Sequence, residues 1–340
     1  MAPPKKGMVI NMEAKKSFGS VVADGFRQMF KSTAGAVFIV MILLTVVVHF
    51  ATDGLFYTQY NLATFTRQAS FTIIIGFAQT LVLLLGGIDL SVASISGLCS
   101  MIFAMLVIVS GINPFVAIII GLAAGAGMGA INGIFICGLN LTPFIVTLAT
   151  SALFKGIIYV ATKGIPLTGI PESVTIIGQG TLGFIPYPTI IMAVIAVILV
   201  LMLKYSTFGR HIYAVGGNEE ASRIVGIRIN RTKMGVYCLA GLISALAGIL
   251  MVLRMGSSQV NIGENWVMPS ITAAVLGGTS MNGGSGGVVG TIVGGLLMSA
   301  ISFSISLLGI SSYWDQIVTG LVVLIAISID AIRRKKQAQV

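Results

Sequence analysis

Apolar runs of bilayer length dominate this chain and leave it few folds. They lie at about 33–50, 69–86, 90–110, 114–138, 144–161, 188–204, 233–253, 267–278, 286–309 and 313–332. About 20 helical residues cross the hydrocarbon core of a bilayer. Lipid offers no partner to an open amide or carbonyl, so each crossing must be a helix that closes its own hydrogen bonds. Only 9% of the 340 residues are charged against 56% hydrophobic, and the mean hydropathy is +1.01. A soluble domain carries roughly 25% charged residues. The chain therefore reads as an all-α polytopic membrane protein of about ten transmembrane segments, with broken or half helices among them. The run at 267–278 is too short to cross alone, and whether it spans or is a half helix is left open by the sequence.

Charge orients these segments. The net charge is +10, and sixteen of the twenty basic residues fall in three places. Six (Lys5, Lys6, Lys15, Lys16, Arg27, Lys31) precede the first apolar run. Six more (Lys204, Arg210, Arg223, Arg228, Arg231, Lys233) crowd one internal polar stretch, and Arg333, Arg334, Lys335 and Lys336 close the chain. Basic residues collect on the cytoplasmic side of membrane proteins. An even number of crossings puts both termini and 205–232 on that one side, which agrees with the clusters. No aromatic-interleaved basic face accompanies the charge, so nucleic acid is not the expected partner. The chain divides into 1–32, a transmembrane unit at 33–332 and a basic tail at 333–340. In the first part Phe18, Val22, Phe26 and Met29 recur at helical spacing, as in an amphipathic helix lying on membrane lipid. The Pro/Gly-rich stretch 162–187 is expected to form a structured outer loop, with Gly178 outside and Asn218 inside.

Three places interrupt the apolar zones: Gly86-Gly87, Pro143, and "LGGTSMNGGSGG" at Leu276–Gly287. Broken backbone at membrane depth survives only where protein or a water-filled cavity satisfies it, and such breaks mark solute pathways. The first break carries Asp89, in "LLLGGIDLSVASISG" from Leu83 to Gly97. An intramembrane carboxylate costs several kcal/mol unless paired, hydrated or moved to the boundary. Two roles are open to it: capping the next helix beside Ser91, or touching solute. Cys99, Cys137 and Cys238 lack paired spacing, and His49 and His211 stand alone, so no disulfide framework or metal site is expected.

The Gly-rich segment 283–290 contains no lysine, so it is no phosphate-cradling loop. Neither a nucleophile elbow nor a nucleotide fingerprint is found, and the chain is not read as an enzyme. Energy must then come from an ion gradient or from another subunit. The stretch "YSTFGRHIYAVGGNEEASRIVGIRINRT" at 205–232 bears on that choice. Asn218 heads a short helix over Glu219 to Val225, with two acids in its first turn.

This polar stretch resembles the cytoplasmic loop of permease subunits from binding-protein-dependent ABC importers of the ribose/galactose type, whose pattern F-G-R-x-I-x-A-x-G-G-N-x-x-A-x-x-x-G-I runs from Phe208 to Ile227. "GGIDLSVASISGL" after Leu85, "LNLTPFIVTLAT" at Leu139 to Thr150, Lys155-Gly156, "LGGTSMNGGSG" at Leu276 to Gly286 and "LLGISSYWDQIVTG" at Leu307 to Gly320 are similar to further elements of that family, in order. One departure stands out. Where relatives commonly carry E-L-D-A-I-A-A, this chain reads "NWVMPSITAAVLGG", with Val267 and Pro269 in place of the two acids.

The resemblance implies alternating access in the bacterial inner membrane, with a second permease subunit, an extracytoplasmic solute-binding protein and a cytoplasmic ABC ATPase. ATP and Mg would be bound by that ATPase, with no cofactor in this chain. The solute implied is a monosaccharide, with polyols or autoinducer-2 as alternatives in the same family. Coupling to the ATPase would fall on Gly217, Asn218, Glu219, Glu220, Arg223 and Gly226. Asp89, Gln79, Asn132, Thr142, Thr147 and Asn282 would lie near the translocation path. Each of these has a rival role, an interhelical hydrogen bond worth about 0.6 kcal/mol. The rival class is a stand-alone secondary transporter or channel. It would need intramembrane ionisable groups, and Asp89, Lys155, Arg254 and Asp315 are the few on offer.

Overall fold

The computed structural model describes residues 33–311 and 313–337, and the side chains of all of these except 33, 326, 327 and 329–337. The amphipathic segment expected at 1–32 lies outside them. Each apolar run becomes a helix. In chain order these are α1 (Thr33–Ala51), α2 (Gln59–Leu84), α3 (Val92–Ala104, carried on as a π turn over Met105–Val109), α4 (Pro114–Gly138) and α5 (Pro143–Thr162). After a short α6 (Glu172–Gln179) come α7 (Tyr187–Tyr205), α8 (Thr207–Gly217), α9 (Glu219–Ile224), α10 (Ile229–Met255), α11 (Val267–Leu276), α12 (Val288–Leu307) and α13 (Tyr313–Gln337). Eight of the described helices are long and apolar enough to cross a membrane: α1, α2, α3 with its π turn, α4, α5, α7, α10 and α12. Val267–Leu276 and Tyr313–Ile325 are shorter apolar helices.

Local signals set the boundaries. Asn113 accepts the Phe115 amide at 2.9 Å ahead of Pro114, and Ser206 accepts Gly209 N–H at 2.9 Å ahead of α8. Both are side-chain caps that satisfy amides the helix cannot. Pro143 opens α5 rather than interrupting a helix, with Thr142 before it; proline is suited to that first position because the missing N–H has no partner there anyway. The helix at Gln59 begins ten residues ahead of the apolar run at 69, because its first turns are polar and so did not register as an apolar run. Helix α13 runs on through the basic residues Arg333, Arg334, Lys335 and Lys336 to Gln337.

The interior is built on α2 and α10, whose spans are 83% and 72% buried within the chain, while α1, α4, α5 and α7 are 28% buried and face outward. Alpha-helix α10 packs along α4, where Gly125, Gly129 and Gly241 let the backbones touch. Close contact of this kind drives helix association in lipid, where burial from water gives no help. A second seam joins α12 to α11, α2 and α1, and the rings of Phe56, Phe65 and Phe303 meet in it.

The 162–187 stretch is structured, as expected. Its strand β1 (Leu167–Thr168) pairs antiparallel with β4 (Ser257–Ser258), and β2 (Thr181–Leu182) pairs with β3 (Ile185–Pro186). Gln179 binds α10 through Nε2 to the Arg254 carbonyl at 3.1 Å and accepts Arg67 Nη2 at 3.0 Å. One end of the molecule is thus closed by 163–186 and 256–266. The other end carries the turns at 85–91 and 277–287 together with α8 and α9.

Candidate functional site

The first break is made by α2 stopping at Leu84 and α3 starting at Val92. Gly86 takes φ +76°, which only glycine adopts freely, and Gly87 N–H returns to the Val82 carbonyl at 3.1 Å. Asp89 is 1% exposed. One of its carboxylate oxygens, Oδ1, accepts both the Ser91 N–H at 2.7 Å and the Ser91 hydroxyl at 2.6 Å. Ser91 in turn accepts Asn132 Nδ2 at 2.7 Å, and Asn132 Oδ1 accepts the Thr150 hydroxyl at 2.7 Å. Thr147 Oγ1 accepts Leu90 N–H at 3.1 Å and donates to the Ile88 carbonyl at 3.3 Å. With its amide oriented to match its neighbours, Gln79 donates to the Asp89 carbonyl at 3.0 Å and accepts the Asp89 N–H at 3.2 Å.

Gln79, Asp89, Asn132 and Thr147 therefore meet in one buried network that joins α2, α3, α4 and α5 through the break. Thr142 and Asn282 stand outside it, and both are exposed. Of the network's connecting members, Ser91 was noted in the sequence only as the neighbour of an Asp89 cap, and Thr150 was passed over. Hydroxyl residues are common in apolar helices and usually bond their own turn, so nothing marked Thr150 out.

The second break follows α11. Ser280 N–H donates to the Ser285 carbonyl at 2.9 Å, closing a loop, and Gly284 N–H donates across to the Leu84 carbonyl at 2.9 Å. The two breaks are thus hydrogen-bonded to each other. The polar loop is fastened to the same place. Tyr213 in α8 donates its hydroxyl to the Gly286 carbonyl at 2.9 Å, and burial pushes that phenol up from its ordinary pKa, so it keeps the proton it donates. Gly216 lies against both breaks: a Cβ there would fall 1.8 Å from the Leu84 carbonyl oxygen and 2.8 Å from Gly284 N.

The expected short helix in the loop is α9. Asn218 Oδ1 accepts Ala221 N–H at 2.9 Å, which is the cap read from the sequence. Glu219 binds Lys233 Nζ at 2.7 Å and lies 3.7 Å from Arg223, tying α9 to the start of α10. Glu220 and Arg223 are exposed, Gly217 ends α8, and Gly226 turns the chain at φ +83°. Between them Ile224 and Val225 are 86% and 75% exposed. This leaves two large apolar side chains uncovered at the tip of a polar loop.

Val267 and Pro269, where the two acids were missing, open α11 at the opposite end. Val267 borders a small recess beside the Lys155–Glu264 ion pair, whose atoms are 2.5 Å apart. Pro269 borders a larger cavity walled by Trp266.

Helices that stop inside the molecule, with their breaks bonded to each other and to one polar loop, define a membrane permease with discontinuous helices. The chain belongs to the permease family described as "Branched-chain amino acid transport system / permease component", which matches residues 61–327. It is 42% identical to the ribose import permease of Bacillus subtilis over 93% of this chain and 95% of the relative. It is 39% identical to the ribose import permease of Escherichia coli K12 over 83% and 88%, and 32% identical to the galactose/methyl galactoside import permease of Haemophilus influenzae over 88% and 94%. No solved structure matches.

Proposed function

We propose that this chain is the transmembrane subunit of a bacterial inner-membrane ABC importer and forms half of the translocation path for a neutral monosaccharide. A second permease subunit completes the path. An extracytoplasmic binding protein delivers the sugar, and a separate ATPase binds ATP and Mg and drives the cycle. The observation that carries this reading is the fastening of α8 to both helix breaks, with the apolar tip of α9 free beside it. A push on that tip has a short, hydrogen-bonded route to the two places where the membrane helices are already interrupted. The relatives' substrates favour sugar over amino acid. Within this reading Gly217, Asn218, Glu219, Glu220, Arg223 and Gly226 form the coupling element. The Asp89 network braces the first break, and Thr142 and Asn282 flank the mouth of the path at the same end.

Uptake measured in proteoliposomes tests the function. The chain, reconstituted with its ATPase and binding protein, is expected to accumulate D-ribose only when ATP is supplied, and the chain alone is expected to hydrolyse no ATP. Accumulation driven by a proton or sodium gradient without ATPase would favour a secondary transporter.

The same reading carries ten passages through the bilayer, α11 with 277–287 counting as one and α13 as the last, so both termini and α9 face the cytoplasm. Gly178 is buried, and a Cβ there would sit 2.3 Å from Arg254 N, so the outer reporter belongs at the exposed Thr181. With the three native cysteines replaced, Thr181→Cys should react with an impermeant maleimide from outside, and Glu220→Cys only from inside. Reaction of both from one face would reject the ten-passage arrangement.

Ile224→Ser with Val225→Ser removes the apolar tip without touching the Asn218 cap or the Glu219–Lys233 pair. The variant should fold normally by thermal unfolding of the isolated chain. Its co-purification with the ATPase should fall by about tenfold or more, as two truncated anchors at an interface centre each cost above ~1 kcal/mol. Undiminished co-purification would place ATPase docking elsewhere.

A further inference from the structure

We propose that one chain holds a solute-contact site of its own, in the cavity between α2, α10, α11, α12 and α13 at the end opposite α9, and that it takes a neutral, polyhydroxylated molecule of monosaccharide size. The inference rests on the transport reading above and names the residues that would meet the solute.

The cavity has a volume of about 350 Å³, at the small end of the roughly 300–1,000 Å³ typical of small-molecule sites. One wall is aromatic. Phe71 and Trp266 stack with centroids 6.2 Å apart at 26°, and the Arg254 guanidinium covers Phe71 at 5.5 Å from its centroid. Arg254 has no carboxylate within 4.0 Å among the described residues. Asp315, on the same cavity, accepts among the described residues only the Ser302 hydroxyl, at 2.7 Å. The most telling group is Ser299. It lines the cavity, is 2% exposed, and its hydroxyl has no hydrogen-bond partner among the described residues. A buried hydroxyl left open costs about 1–3 kcal/mol, and a ligand hydroxyl in the cavity would relieve that cost.

The chemistry selects the ligand class. Arg254 and Asp315, which do not pair with each other, offer both a charge-assisted donor and a charge-assisted acceptor to a neutral solute. Gln68 adds an amide that both donates and accepts. Hydroxyl groups use all of these, and the indole of Trp266 suits the C–H face of a sugar ring. A branched-chain amino acid would also engage Arg254 and Asp315 and would set its side chain against Met251, Pro269 and Met298, so L-valine is the competing ligand; the open Ser299 hydroxyl is what favours a hydroxylated one.

The chain has two tryptophans, Trp266 and Trp314, so Trp314→Phe leaves the reporter in the cavity wall alone. The full chain carrying this change, in proteoliposomes, is titrated with D-ribose, D-xylose, D-fructose, D-galactose and L-valine while Trp266 fluorescence is followed. The expected result is a saturable response to at least one sugar and none to L-valine. Ser299→Ala and Asp315→Asn are each expected to weaken that response about tenfold, the loss of one hydrogen bond to a group in a dry site. A response to L-valine alone overturns the ligand class. ATP-driven sugar uptake by the reconstituted importer without any sugar response of Trp266 overturns the site and leaves the transport reading standing. Absence of ATP-driven uptake of all four sugars counts against the transport reading and takes this site with it. Should Asp315→Asn fail to assemble, the titration of the parent and of Ser299→Ala still decides.

Discussion

Asp89→Leu is expected to remove most of the recoverable importer complex, while Asp89→Asn keeps much of it. Oδ1 is the acceptor for two donors of Ser91, its N–H and its hydroxyl, inside a site 1% exposed. Leucine leaves both without an acceptor, at about 1–3 kcal/mol for each buried donor. The damage spreads, because Ser91 also receives Asn132, and Asn132 receives Thr150. Those residues lie on α3, α4 and α5, so three helices lose their common anchor. Total stabilities of folded proteins are only about 5–15 kcal/mol, and a loss of this size is severe. Asparagine retains a carbonyl oxygen at the same place and can accept both bonds. It also relieves the desolvation of a buried carboxylate that has no ion-pair partner among the described residues. Complex recovery and sugar uptake measured together decide the role. Recovery and uptake both near normal for the Asn variant support a brace. A fully assembled Asn variant without uptake would mean that the charge itself meets solute.

Much of the helix pattern was legible because lipid makes strict demands. A helix must be about 20 residues long and apolar to cross, and eight of the ten expected segments meet that demand in the structure. The misreadings fall where lipid stops dictating. Residues 59–68 are helical but polar, so the apolar run hid the true start of α2, and Pro143 proved to be a helix start. The polar network was half legible. Gln79, Asp89, Asn132 and Thr147 stood out as polar groups in apolar surroundings, Ser91 only as the neighbour of an Asp89 cap, and Thr150 not at all. The cavity at the other end was illegible as a site. Arg254 and Asp315 were visible only as ionisable groups near span ends. Phe71, Trp266 and Ser299 come from different helices, brought together by packing that no local pattern encodes.

Gly216→Val and Gly217→Ala, one residue apart, are expected to have opposite outcomes. At Gly216 a Cβ would lie 1.8 Å from the Leu84 carbonyl oxygen and 2.9 Å from its carbon. The obstructing atoms are backbone, and that carbonyl already accepts Gly284 N–H at 2.9 Å, so it cannot swing aside without opening the bond between the two breaks. Overpacking in a well-packed site typically costs about 1–3 kcal/mol, and the lost bond and the displaced Tyr213–Gly286 contact add to it. At Gly217 a Cβ meets nothing within 4 Å, and removing glycine's freedom from the unfolded chain is worth about 0.4–1 kcal/mol where the backbone conformation permits it. Gly217→Ala should therefore unfold at the same temperature as the parent or slightly above it. The position of the junction makes the Gly216 variant more than a stability probe. If α8 transmits motion to the breaks, a milder change, Gly216→Ala, in complexes that still assemble, should leave ATP hydrolysis running while sugar uptake falls by a larger factor. Equal losses of hydrolysis and uptake would mean that the contact is only structural, and that the stroke reaches the path by another route.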